Sequence, residues 1–219
     1  MKDIAGLIDH SLLRADASPE DIGRLCREAV RFGFHSVCVN PCHVERAAAA
    51  LASSQVRVAT VIGFPLGATF TGAKVYEAMG AALMGAHEID MVMNIGAAKA
   101  GDWGLVERDI SDVLAATTGL VRKVIIEACY LRDDEKRRAV EAALRAGADF
   151  IKTSTGFGPG GATVHDVRLI REAVGGRAGI KAAGGIKTLG QALEMVEAGA
   201  TRIGTSSGPS IVEEARGRR

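Results

Sequence analysis

The chain has 219 residues, 47% of them hydrophobic, with 27 basic and 26 acidic side chains and a formal net charge of +1. That is enough apolar material for one sizeable core, and the balanced charge removes the electrostatic case for nucleic acid or an anionic membrane as partner. Aromatic residues, at 4%, argue further against a base-stacking surface.

No apolar run approaches the roughly 18–20 residues of a membrane span. The opening "MKDIAGLIDHSLL" lacks the apolar stretch and small-residue cleavage site of a signal peptide. Cys26, Cys38, Cys42 and Cys129 have no disulfide-framework spacing, which suits a reducing cytoplasm. The basic "RGRR" at 216–219 reads as a solvated tail.

Short apolar or β-branched runs recur along the chain: "GLID" near 6–9, "SVCVN" at 36–40, "RVATVIG" at 57–63 and "EIDMVMN" at 88–94. "KVIIEA" at 123–128, "DFIKTS" at 149–154, "GIKAA" at 179–183 and "RIGTS" at 202–206 complete the series. Helical patterns lie between them. "SPEDIGRLCREAVRFG" opens with Ser18 as N-cap and Pro19 at the first helical position, and Gly33 closes it. "RDDEKRRAVEAALRAGA" places acids before bases and stops at Gly147; "TLGQALEMVEAGA" runs from Thr188 to a stop at Gly199. Eight alternating units without a linker predict one domain over 1–219, an α/β fold of the single (β/α)8 TIM barrel type with parallel strands. An open doubly wound sheet would give much the same local pattern.

In such a barrel the functional face lies at the carboxyl ends of the strands. Asp9, Cys38, Asp90, Lys152 and Lys181 all map towards that end. Lysine inside a buried strand is unusual, because its ammonium loses hydration unless something compensates. Burial and a neighbouring ammonium both favour the free amine, so Lys152 could attack a carbonyl and form an imine, the electron sink that aldol cleavage needs. Each lysine could instead be a structural charge paired to an aspartate, and Asp90 a plain counter-ion.

Glycine-rich stretches, "STGFGPGGAT", "AAGGI" and "IGTSSG", follow the sixth, seventh and eighth strands. They could be tight turns, or could let backbone amides approach a phosphate, with Ser206 and Ser207 adding hydroxyls. Cys38 reads as a pocket-lining residue. Cys38-x3-Cys42-His43 is not a convincing zinc signature, and the five histidines form no catalytic pattern. Trp103, Met84, Met91 and Met93 read as packing residues.

Together "LIDHSLL", "VCVNP", "VIGFPLGATFTGAKVYEA", "GAHEIDMVMNIG", "KVIIEA", "DFIKTSTGF", "GIKAAGGIKT" and "IGTSSG" resemble the deoxyribose-phosphate aldolase family, in register from about residue 6 to 208. The resemblance implies a class I aldolase that interconverts 2-deoxy-D-ribose 5-phosphate with acetaldehyde and D-glyceraldehyde 3-phosphate in deoxyribose phosphate catabolism, with no metal or cofactor. It implies Lys152 as the Schiff-base lysine, Asp90 and Lys181 in proton transfer, and Asp9 as a supporting member of that relay. Thr153 beside the nucleophile, with Gly156, Gly184, Gly185, Gly204, Ser206 and Ser207, is implied on the substrate side. A homodimer or homotetramer is expected, and neither nucleic acid nor membrane as partner.

Two positions depart from the family pattern. Phe157 stands where some members carry a basic residue that helps hold phosphate, so phosphate would lean on backbone amides and hydroxyls. The end "EEARGRR" lacks the terminal tyrosine that some members use in proton transfer. Rival readings are another lysine Schiff-base barrel, such as a transaldolase-like or keto-acid aldolase, and a non-catalytic barrel that binds a phosphorylated metabolite.

Overall fold

The computed structural model describes residues 4–217, so Met1–Asp3 at the start and the last two residues of the basic tail lie outside the described residues. Strands β1 (Ile8–Leu12), β2 (Ser36–Val39), β3 (Arg57–Ile62), β4 (Glu88–Val92), β5 (Val121–Ile125), β6 (Phe150–Lys152), β7 (Gly179–Ala183) and β8 (Arg202–Thr205) form a closed barrel in chain order. Every pairing is parallel, and β1 returns to β8 with Asp9 opposite Gly204. That closure decides for the TIM barrel over the open sheet.

Helices α1 (Pro19–Phe32), α2 (Val44–Leu51), α3 (Thr71–Leu83), α4 (Ile95–Ala100) and α5 (Trp103–Ala115) connect the first five strands. Helices α6 (Asp133–Arg145), α7 (Val164–Val174), α8 (Leu189–Ala198) and α9 (Gly208–Gly217) follow the last four. Among the described residues no helix is long and apolar enough to cross a membrane.

Local chemistry sets these boundaries. Ser18 accepts from the Asp21 amide, and Asp21 accepts from the Ser18 amide, a reciprocal cap on α1. Gly33 then leaves α1 in the left-handed region at φ 75°, where a Cβ would be strained. Thr188 and Gln191 cap α8 in the same reciprocal way.

Successive strand residues point to opposite faces, and here the two faces differ sharply. Val37, Val39, Val58, Ile62, Ile89, Met91, Val124, Ile151, Ile180 and Ile203 pack outward with the helices in one large apolar core. Inside lie a small cluster of Cys38, Ala59 and Val61 and an array of charged side chains.

Three expectations shift. The first strand starts at Ile8 because a short 3-10 turn, Ala5–Leu7, occupies the run assigned to it. Strand β6 ends at Lys152 rather than Ser154, since the next residues already form the rim loop. Met91 and Met93 are buried and Trp103 packs against the core, but Met84 is half exposed at the end of α3 and is not a packing residue within this chain.

Candidate active site

Strand alternation sends Glu88 and Asp90 of β4 into the barrel, and the register sets Asp90 beside Lys123 of β5. One step round, Lys152 of β6 is the register partner of Lys181 of β7, and Lys181 is that of Arg202 of β8. The result is a buried lattice of ion pairs. Lys152 Nζ donates to Asp90 Oδ2 at 2.8 Å, and Lys181 Nζ donates to the same oxygen at 2.7 Å. Lys181 also pairs with Asp9 Oδ2 at 2.5 Å. Lys123 meets Asp90 Oδ1 at 2.9 Å and Glu88 Oε2 at 2.5 Å.

Below them, Arg202 donates to Asp9 Oδ1 at 2.9 Å and Glu88 Oε2 at 3.2 Å, while Ser36 donates to Asp9 Oδ1 at 2.7 Å. The Arg202 guanidinium lies over the Phe150 ring, 5.2 Å from its centroid. A Cβ on Gly179 would fall 2.3 Å from that ring, so glycine is required there for Phe150 to fill the barrel's amino-terminal end.

Burial alone would raise the Asp90 carboxyl, yet the ammoniums of Lys123, Lys152 and Lys181 hold it well below the usual carboxylate range. Burial is likewise overcome at Asp9 by Lys181, Lys123 and Arg202, which keep it ionised. Burial would depress Lys181 and Lys123, but the carboxylates around them push both above the ordinary lysine value. Isolated, any of these charges would be prohibitive in a protein interior; mutual pairing is what allows them.

A cleft of about 460 Å³ opens above this lattice and reaches Lys152. Its walls come from the loops after β1, β6, β7 and β8 and include Gly156, Gly184, Gly185, Gly204 and Ser206. Gly156, Gly184 and Gly185 have φ of 85°, 91° and 80°, conformations that favour glycine. A Cβ on Gly161 would fall 2.2 Å from the Gly184 carbonyl oxygen, which shows how closely the β6 and β7 loops are pressed together.

Cys38, Thr153 and Ser207 are not among the cleft's walls. Cys38 is fully buried beside Ala59 and Val61, and burial pushes its thiol up. Thr153 Oγ1 exchanges 3.1 Å hydrogen bonds with the Ala183 amide and carbonyl, tying β6 to β7. The Ser207 amide donates to Thr205 Oγ1 at 2.9 Å.

Among the described residues two groups offer metal-ligand atoms, Asp9 with His35 and Glu88, and Asp133 with His165 and Asp166. The first faces Lys181, Lys123 and Arg202, which already neutralise its carboxylates; the second lies beside Lys136, 2.6 Å from Asp166.

The model of the DeoC/LacD family aldolases matches residues 4–213. This chain belongs to that aldolase family. A protein of Thermococcus gammatolerans called deoxyribose-phosphate aldolase is 59% identical over 218 residues, covering 98% of this chain and 97% of its own. One of the same name from Aciduliprofundum boonei is 57% identical over 214 residues, covering 97% and 96%. The solved tetrameric deoxyribose phosphate aldolase of Aeropyrum pernix superposes with a TM-score of 0.92 at 33% identity, covering 99% of this chain and 92% of that one.

Several site residues of this aldolase escaped the sequence reading. Lys123, Glu88 and Arg202 complete the lattice; each sits at an inward strand position, and Glu88 and Lys123 are offset by two from inward residues. Lys187 lines the cleft and supplies positive charge that glycine loops alone would lack, while Arg14, also in its wall, has its guanidinium paired with Asp16 and Asp21. Glu127, just past β5, is a buried carboxylate with φ 47°, a conformation rare outside glycine. It accepts from the Thr155 amide at 3.2 Å and from Thr155 Oγ1. Thr155 and Phe157 separate the cleft from a second chamber of about 480 Å³, whose far wall includes Leu66, Ile95 and Tyr130. Phe157 stands edge-on to Phe64, with 5.2 Å between ring centroids.

Proposed function

We propose that this protein is a class I aldolase that reversibly cleaves 2-deoxy-D-ribose 5-phosphate to acetaldehyde and D-glyceraldehyde 3-phosphate. The observation that carries the reading is an asymmetry among three interior lysines. Lys123 and Lys181 are fully buried and each meets two carboxylates, whereas Lys152 meets one and alone of the three borders the cleft. The lattice holds three carboxylates, Asp9, Glu88 and Asp90, against four cationic side chains, Lys123, Lys152, Lys181 and Arg202. A proton lost from Lys152 leaves three charges of each sign. The kinship to proteins called deoxyribose-phosphate aldolase supplies the substrate class.

Unprotonated Lys152 Nζ attacks C1 of the open-chain sugar, and loss of water gives a protonated imine. That imine keeps a single N–H, so its hold on Asp90 Oδ2 loosens and a water can dock there. Asp90 takes the C3 hydroxyl proton through this water, with the Lys181 ammonium hydrogen-bonded to the same carboxylate, and the C2–C3 electron pair flows into the imine. Glyceraldehyde 3-phosphate leaves and an enamine remains on Lys152. Protonation at C2 and hydrolysis release acetaldehyde and the free amine. Asp9 holds Lys181 in place. The iminium is the electron sink, so the chemistry calls for no metal. Gly156, Gly184, Gly185, Gly204 and Ser206, with Lys187, form the phosphate end.

A cytoplasmic, self-associating enzyme of deoxyribose phosphate catabolism fits this reading, and Cys26, Cys38, Cys42 and Cys129 are free thiols.

Borohydride reduction in the presence of deoxyribose 5-phosphate, followed by peptide mapping, tests the proposal. An ethyl or sugar-phosphate adduct on Lys152 is the expected result. An adduct confined to Lys181 reverses the lysine roles. No adduct on folded, saturated protein overturns the Schiff-base reading.

A further inference from the structure

His35 stands just before β2, at the amino-terminal end of the barrel and away from the cleft. Its Nε2 lies 2.8 Å from Glu88 Oε1, and the other oxygen of Glu88 meets Lys123 at 2.5 Å and Arg202 at 3.2 Å. Lys123 continues to Asp90 Oδ1 at 2.9 Å, and Asp90 Oδ2 holds Lys152 at 2.8 Å. A line of polar contacts therefore runs from His35 through Glu88, Lys123 and Asp90 to Lys152.

His35 differs from the rest of that line in reaching water. Its side chain is 31% exposed, against 3% or less for Glu88, Lys123, Asp90 and Lys152. The ring also carries little of the fold. Residue 35 is tied to its neighbours through its backbone, the amide donating to the Ile8 carbonyl at 3.0 Å and the carbonyl accepting from the Arg57 amide at 2.9 Å.

Glu88 is ionised, because His35 and Lys123 outweigh burial and bring its carboxyl down to about 2. Nε2 must then carry hydrogen in either charge state of the ring, and Nδ1 is the nitrogen that gains or loses a proton. Glu88 of β4 and Asp9 of β1 face the ring, each with an oxygen within 4.8 Å of a ring nitrogen. Arg202 of β8 and Lys123 of β5 stand behind those carboxylates, and Arg57 of β3 and His87, just before β4, lie on the adjoining strand ends.

A proton at Nδ1 adds a fifth cation to a lattice that already sets four against three carboxylates. Glu88 then leans towards the imidazolium, Lys123 draws more on Asp90, and Asp90 has less to give Lys152. Of the lattice lysines Lys152 is the one bordering the cleft, so it is the one able to release a proton to water there. We infer that His35 is a positioning residue for the nucleophile, its imidazolium favouring the free amine of Lys152 from the far end of the barrel. This rests on Lys152 being the Schiff-base lysine.

The test is kcat/KM for deoxyribose 5-phosphate from about pH 5 to about pH 9 in the wild type, His35→Gln and His35→Lys, since this ratio reports ionisations of the free enzyme. His35→Gln keeps a donor for Glu88 but never carries charge. It should fall about 3–10-fold below the wild type at the acid end and match it at the alkaline end. His35→Lys is charged throughout, so it should keep pace with the wild type in acid and exceed it in alkali. A purely structural role would lower activity by one factor at every pH. A constant ratio of wild type to His35→Gln, or a His35→Lys profile that follows His35→Gln, overturns the inference. Borohydride trapping on the same preparations separates that failure from failure of the Schiff-base reading, which would leave the wild type without an adduct on Lys152.

Discussion

Lys152 and Lys181 are register partners in adjacent strands and donate to one and the same oxygen, Oδ2 of Asp90, at 2.8 and 2.7 Å. They are not equivalent, because Lys181 has a second carboxylate in Asp9 and Lys152 has none. Stability and turnover should therefore draw on them differently. Lys152→Leu should abolish turnover while changing unfolding free energy by no more than about 1 kcal/mol, since the lattice loses its surplus charge. Lys181→Leu leaves the same balance of charge but takes a partner from both Asp9 and Asp90, and should cost about 3–5 kcal/mol as well as activity. Urea unfolding of both variants beside activity assays decides; equal destabilisation would contradict the unequal pairing of the two lysines.

Asp90 compensates three ammoniums and also stands where the hydroxyl proton must go. Asp90→Asn should lower kcat by roughly 10²–10⁴-fold, the usual range for a lost acid-base group. Trapping of acetaldehyde on Lys152 should persist in this variant. Loss of trapping together with turnover would place Asp90 in imine formation instead.

Lys187 is the cleft residue best able to compensate for Phe157 in the β6 loop. Lys187→Ala removes a charge-assisted contact worth about 1.5–3 kcal/mol. KM for deoxyribose 5-phosphate should rise about 10–100-fold, with little change for unphosphorylated deoxyribose. Equal effects on the two substrates would remove Lys187 from the phosphate end.

Glu127 grips Thr155 from a left-handed backbone position, and Thr155 walls both the cleft and the neighbouring chamber. Glu127→Gln keeps the shape but weakens that grip. KM should rise several-fold, with kcat and the pH profile retained. A shifted pH profile would instead give Glu127 a part in proton transfer.

Acid should loosen the barrel from within. Burial would raise Glu88, but His35 and Lys123 outweigh it and bring its carboxyl from 4.5 down to about 2. Between those values the unfolded chain binds a proton that the folded one does not. The contribution is complete above about pH 4.5 and disappears as pH falls through about 2, on the order of 3 kcal/mol. Asp9 and Asp90 are depressed in the same direction. Urea midpoints at about pH 6 and about pH 3 should differ more in the wild type than in Glu88→Gln.

Strand order, helix stops and the Asp90, Lys152 and Lys181 positions were legible because each rests on local pattern: glycine after a helix, or a charge inside an apolar run. Gly33, Gly147 and Gly199 all have positive φ, as a helix stop requires. Lys123 and Arg202 were less legible. Arg202 opens β8, and Lys123 stood first in the apolar run read as the fifth strand, where a charge looks like a solvated end until barrel closure buries it. Cleft walls were harder still. Arg14 and Lys187 lie in loops whose approach depends on four separate strands closing the ring. Met84 read as packing material but stands half exposed, because an apolar residue in a sequence does not say whether the fold will cover it.

Phe150, Arg202 and Gly179 pack together towards the amino-terminal end of the barrel, away from the cleft that reaches Lys152. In the proposed mechanism the two-carbon fragment stays covalently tethered to Lys152, whereas the phosphorylated fragment is held by no bond once C2–C3 has broken. The phosphorylated product must therefore depart first, and in synthesis acetaldehyde must load first. Kinetic order would then follow from the covalent tether at Lys152 rather than from the relative affinities of the two aldehydes.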